Sequence, residues 1–104
     1  MNNKNKRTDP HHELYRAMMK LQTPEECYRF FEDLCTVPEL KAMSQRIAVA
    51  KMLNARQVYS EIVGETGAST ATISRVNRSL NYGSDGYTLV FDRLWKKKGE
   101  GDAE

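Results

Sequence analysis

No run of the 104 residues approaches the roughly 20 consecutive apolar positions that a membrane span requires. The polar, basic opening MNNKNKRTD also lacks the apolar core of a secretory signal, so the expectation is a cytoplasmic protein. Cysteine is scarce, with only Cys27 and Cys35. The pattern puts both on one helix, where their separation spans about 12 Å, so they cannot bond to each other within it. No metal-ligand spacing surrounds them, and buried free thiols in a reducing cytoplasm follow. His11 and His12 are adjacent, point in different directions on a helix, and cannot share a metal. There is no Gly-rich phosphate loop, no pair of carboxylates in a cleft pattern and no His positioned beside a Cys. An enzyme is therefore not the reading. Internal repeats and convincing strands are missing too. So is an excess of one charge: 16 Lys+Arg face 14 Asp+Glu, too even a balance to argue a nucleic-acid partner unless the charges are well placed.

What is present is helical, and a single domain of this size buries only a limited core by itself, a shortage that oligomerisation would relieve. Met1 to Asp9 reads as a disordered basic arm, able to follow DNA phosphates or simply to solubilise the chain. Asp9-Pro10 suits a helix start, with Leu14, Met18 and Leu21 as its buried side. Thr23-Pro24-Glu25-Glu26 is a capping box, followed by Cys27, Phe30, Phe31 and Leu34 at one-face spacing. Those side chains suit a core within one chain or between two. Thr36-Val37-Pro38-Glu39 caps a longer helix to about Leu53, with Leu40, Met43, Ile47 and Ala50 as its main stripe. Ala48, Val49, Met52 and Leu53 widen that stripe. After a turn at Asn81–Ser84, Ser84 or Asp85 can cap a last helix with Tyr87, Val90, Phe91, Leu94 and Trp95 on one face. Lys96 to Lys98 suit its C-terminal end, and 98–104 reads as a flexible tail. The expected organisation is all-α, about six helices, in one helical domain over residues 10–97.

Residues 57–80, QVYSEIVGETGASTATISRVNRSL, hold the strongest signal. Two short helical patterns meet at Gly67-Ala68, where Gly67 suits a left-handed backbone. Ser69 can cap the second helix through its hydroxyl. Val58, Ile62 and Val63 are the apolar positions of the first helix, and Ile73, Val76 and Leu80 form the inward stripe of the second. Thr70, Ala71, Ser74, Arg75 and Arg78 share the other face, with no carboxylate among them. A slim face can approach base edges in a major groove. Hydroxyls and N–H groups of the first turn suit phosphate oxygens, and arginines further along can clamp phosphate or guanine. A plain helical hairpin with a solvated second helix shares the cap and the break. The joint occurrence of Gly67, Ser69, Ile73, Val76 and an acid-free face favours a DNA-binding helix-turn-helix.

With the helices in this order, the chain resembles the tryptophan-repressor superfamily, and more narrowly its small YerC/YecD-like branch. The resemblance runs from about Glu13 through the last helix. Its specific parts are TGASTATISRVNRSLNYG (66–83) and LCTVPELKAMSQRIAVAKML (34–53). It implies an intertwined homodimer whose two helix-turn-helix units meet successive major grooves of a palindromic operator, about 34 Å apart. The implied function is a sequence-specific transcription regulator, a repressor, on double-stranded DNA. A protein-interaction or architectural DNA-binding module on the same scaffold, without sequence readout, is the competing reading.

Residue by residue, the resemblance puts Thr70, Ala71 and Ser74 toward bases. Arg46, Gly67, Ser69, Thr72 and Arg75 match positions at or beside phosphates, and Arg78 joins them on its chemistry. Ser60 and Val63 stand where tryptophan repressors carry longer polar side chains. Thr36, Arg46, Arg75 and Ser79 match the corepressor pocket and suggest a place for a small carboxylate. Val76, however, stands where those repressors have Gly, in the slot for the indole ring. Asp33 and Cys35 replace apolar residues beside it. The expectation is no cofactor, and no binding of L-tryptophan.

Overall fold

The computed structural model describes residues 9–95. Six helices follow in order: α1 His12–Met18, α2 Pro24–Leu34, α3 Val37–Asn54, α4 Tyr59–Thr66, α5 Thr70–Tyr82 and α6 Gly86–Leu94. The fold is all-α, as the periodicity predicts. The arm and tail readings, and that of Lys96 to Lys98, fall outside the described residues, apart from Asp9. The chain divides into two compact units, 1–40 and 41–104.

In the first unit, local hydrogen bonds set the helix starts. The Glu26 N–H donates to Thr23 Oγ1 at 3.1 Å, and Glu26 Oε1 accepts from the Gln22 N–H at 2.8 Å. Thr36 and Glu39 cap α3 reciprocally, at 3.2 Å to the hydroxyl and 2.9 Å to the carboxylate. These are the two boxes expected from the sequence. Asp9 behaves differently. Its Oδ1 accepts from the His11 N–H at 2.7 Å, closing an Asx turn, so the helix begins at His12 rather than at Pro10.

The predicted apolar faces exist here but are not covered. Neither α1 nor α2 has a buried residue. Leu14, Met18 and Leu34 are exposed, Leu21 lies past the end of α1, and Cys27, Phe30 and Phe31 are half-buried. Phe30 and Phe31 pack edge to face, their ring centres 5.3 Å apart. Cys35 sits just beyond the end of α2 rather than on it, and both thiols are free but half-buried within one chain rather than buried. A stripe tells which side of a helix is apolar. It does not tell which chain covers it.

The second unit has a small closed core. Val49 and Ala50 of α3, Ile62 of α4, Ala68 of the turn, Ile73 and Val76 of α5, and Phe91 of α6 are buried together. Met52, Leu53 and Tyr87 pack against them. Sequence periodicity is corrected at its margins. Ile47, Val58, Val63, Val90, Leu94 and Trp95 are exposed, and Leu80 is half-buried. Tyr87, Phe91 and Trp95 stack along α6 at helical spacing, and Lys51 Nζ stands 4.8 Å from the Trp95 ring centre. That cation–π contact clips α6 to α3.

Two residues turn the chain without the glycine expected at a left-handed position. Arg56 (φ 65°) closes α3, and Asp85 (φ 63°) precedes α6 with no side-chain cap. Neither Ser84 nor Asp85 caps α6 through its side chain, which corrects that expectation.

Candidate nucleic-acid interface

The turn between α4 and α5 is built by short-range chemistry. Gly67 has φ 74°, and its N–H donates to the Val63 carbonyl at 2.9 Å. A side chain there would carry the left-handed penalty that glycine avoids. Thr66 holds the turn on both sides: its hydroxyl donates to the Ile62 carbonyl at 2.7 Å and accepts from the Ala68 N–H at 3.1 Å. Gln45 of α3 donates to the Thr66 carbonyl at 3.1 Å, tying the turn to the scaffold. Ala68 is buried beneath the turn.

Ser69 then caps α5. Its Oγ accepts from the Thr72 N–H at 3.1 Å, and its hydroxyl donates to Thr72 Oγ1 at 3.1 Å. Thr72 is half-buried and spends its N–H inside the cap. Thr70 and Ala71 are exposed, and their backbone N–H groups have no acceptor among the described residues. Those two N–H groups, at the positive end of a 13-residue helix, suit an oxyanion.

Along α5, Ile73 and Val76 face inward and are almost wholly buried. Thr70, Ala71, Ser74, Arg75 and Arg78 are all exposed, and no residue of α5 is acidic. Arg46, on α3, is exposed as well. Among the described residues, none of these three arginines is in a salt bridge, since the one ion pair present joins Arg16 to Glu13. Three unpaired guanidiniums and a hydroxyl-bearing helix tip can bind phosphates and base edges. Among the described residues, no group of three or more His, Cys, Asp or Glu is placed to hold a metal.

Ser79 borders a cleft of about 500 Å³ lined mainly by Ile47, Tyr87, Val90 and Phe91, which neither Arg46 nor Arg75 lines. Thr36 belongs to the first unit, where its hydroxyl is engaged as the cap of α3. Val76 is 1% exposed and its side chain is part of the core. Sequence reasoning missed Gln45, the bridging role of Thr66 and the burial of Ala68. The hydroxyl before Gly67 is a turn signal for Thr66, whereas nothing local marks a hydrogen bond reaching across 21 residues from Gln45.

Known proteins resemble this arrangement over most of its length. The family model described as Trp repressor protein matches residues 10–95. Over 92 residues the chain is 48% identical to the uncharacterized protein YerC of Bacillus subtilis (strain 168), covering 88% of each. A crystal structure of a TrpR-like protein from Eubacterium eligens ATCC 27750 superposes with a TM-score of 0.82 at 52% identity, over 90% of this chain and 97% of that one. A candidate Trp repressor from Staphylococcus aureus gives 0.77 at 55% identity, over 79% and 82% of the two chains.

Proposed function

The chain belongs to the Trp repressor protein family, a family of regulators rather than enzymes, and from that premise we propose that it is a sequence-specific, double-stranded-DNA-binding transcription regulator acting as a repressor. Two copies present their α5 helices to successive major grooves of a palindromic operator. The observation that carries this reading is the outer face of α5, exposed, acid-free and studded with unpaired Arg75 and Arg78 behind a capped hydroxyl tip. Thr70, Ala71 and Ser74 approach bases, while Arg46, Gly67, Ser69, Thr72, Arg75 and Arg78 hold phosphates.

Charge placement supports it where net charge does not. Residues 41–95 hold seven Lys+Arg against four Asp+Glu, whereas residues 9–40 hold three against seven. Attraction to a polyanion is thus concentrated in the unit that carries the helix-turn-helix. The pairing of two copies is supported by apolar side chains that one chain leaves uncovered. These include Leu14, Met18 and Leu34 in the first unit, and Val90, Leu94 and Trp95 in the second. Exposed apolar side chains on the helix faces of each unit suit association with a second copy.

The direct test is the salt dependence of duplex binding. Three arginines per copy, six per pair, neutralise six phosphates, so log K is expected to fall against log salt with a slope of about −5. A slope near zero would remove DNA from the account. In this reading L-tryptophan is not the effector. Forcing an indole into space held by the packed Val76 side chain costs about 1–3 kcal/mol. Calorimetric titration with L-tryptophan is therefore expected to give no saturable heat, and a saturating isotherm would contradict it.

A further inference from the structure

A second polar feature lies in the 41–104 unit, on the flank of α5 between its buried stripe and its outer face. Asn54 at the end of α3, Arg56 in the link, Asn77 and Asn81 of α5 and Thr88 of α6 wall a cleft of about 320 Å³. Leu53 and Leu80, both half-buried, supply its apolar part. That volume is at the lower end of small-molecule sites, and five of the seven lining residues are polar. No carboxylate borders it, and Arg56 is its single charge.

Much of its hydrogen-bonding capacity is unspent. Asn81 Nδ2 donates to the Asn77 carbonyl at 2.9 Å and to Asn77 Oδ1 at 3.0 Å. This fixes which way the Asn77 amide is turned and leaves its two Nδ2 hydrogens without an acceptor among the described residues. The side chains of Asn54, Arg56 and Thr88 have no hydrogen-bond partner among them either.

The backbone adds an independent indication. The Arg56 N–H donates to the Leu53 carbonyl at 2.9 Å and the Gln57 N–H to the Met52 carbonyl at 3.1 Å, the double closure of a Schellman motif. Its left-handed position is held here by Arg56 at φ 65°, where glycine is the ordinary occupant. A long cationic side chain kept at a strained position beside a polar cleft points to a use for that side chain.

We propose that this cleft binds a small oxyanion, a carboxylate or phosphate group gripped by the Arg56 guanidinium with the Asn77 amide and the Thr88 hydroxyl. Guanidinium forks and neutral N–H and O–H donors are the set that such a group requires. The bound anion bridges the end of α3 to α5 and α6, so it braces the helix that carries Thr70 to Arg78. The site differs from the Thr36, Arg46, Arg75 and Ser79 positions, none of which lines it.

The test is nitrogen–proton NMR on the full chain, titrated with inorganic phosphate and with acetate against chloride at matched ionic strength. Saturable shifts of the Arg56 Nε–H and of the Asn54, Asn77 and Asn81 side-chain amides are expected with at least one of the two anions. Arg56→Gly suits the left-handed backbone, should fold, and is expected to abolish them. Duplex DNA separates the two sources of such an anion. If the group is a backbone phosphate, Arg56→Gly weakens duplex binding and makes the salt slope shallower by about one unit per copy. If it belongs to a free molecule, duplex binding by Arg56→Gly matches the unsubstituted protein. Absence of saturation with both anions, an equal response in Arg56→Gly, or shifts confined to Arg75 and Arg78 overturns the proposal.

Discussion

Replacing Arg75 and Arg78 together by Ala is expected to weaken duplex binding at least a hundredfold while leaving the fold intact. Each guanidinium is exposed and outside any ion pair among the described residues, so neither has a structural partner to lose. Exposed substitutions of that kind change stability by no more than about 0.5 kcal/mol. Hydrogen bonds from charged donors contribute about 1.5–3 kcal/mol each, so losing two per copy accounts for the hundredfold. The salt slope supplies a second readout, falling from about −5 toward −2 as four phosphate contacts per pair disappear. A module that had given up DNA for a protein partner would keep its low-salt shifts unchanged in this variant. Competition binding at two salt concentrations, with melting temperatures measured alongside, distinguishes the outcomes.

Phe31→Ala is expected to destabilise the protein as a core truncation does, although within one chain Phe31 is only half-buried. Among the described residues of the first unit none is buried, and the Phe30–Phe31 pair is the largest apolar load on α2. If a second copy covers that face, Phe31 is interior in the assembled protein, and its loss costs about 3–5 kcal/mol per copy. For a domain of this size that lowers the melting temperature by more than about 10 °C. Because folding and pairing are then one process, the melting temperature of the unsubstituted protein should rise with protein concentration. Thermal denaturation across a hundredfold concentration range tests both. A concentration-independent transition and a shift of only a few degrees in Phe31→Ala would show that α2 works within a single chain.

How much of this was readable in the sequence depends on how far each interaction reaches. Ser69 accepting from Thr72, Gly67 in the left-handed turn, and the boxes at Thr23/Glu26 and Thr36/Glu39 each close over three or four residues. Spacing alone locates such features, and with them the start, the inward stripe and the outer face of α5. Arg56 and Asp85 escaped because the left-handed backbone is usually announced by glycine, and here it is not. Gln45 escaped because its acceptor is distant in the chain. The apolar stripes of α1, α2 and α6 are legible in the sequence, but periodicity gives Leu14, Leu34 and Val90 an interior that one copy does not supply. Periodicity encodes a face's chemistry and is silent on its partner.

The central claim is that a pair of chains reads DNA through α5. Selection of bound sites from random duplexes, repeated at two salt concentrations, tests it most directly. The expected result is an enriched inverted repeat whose half-sites are centred about one helical turn, 10–10.5 base pairs, or a multiple of it, apart, and which persists at the higher salt. Recovery of unrelated sequences that are all released together as salt rises would contradict it.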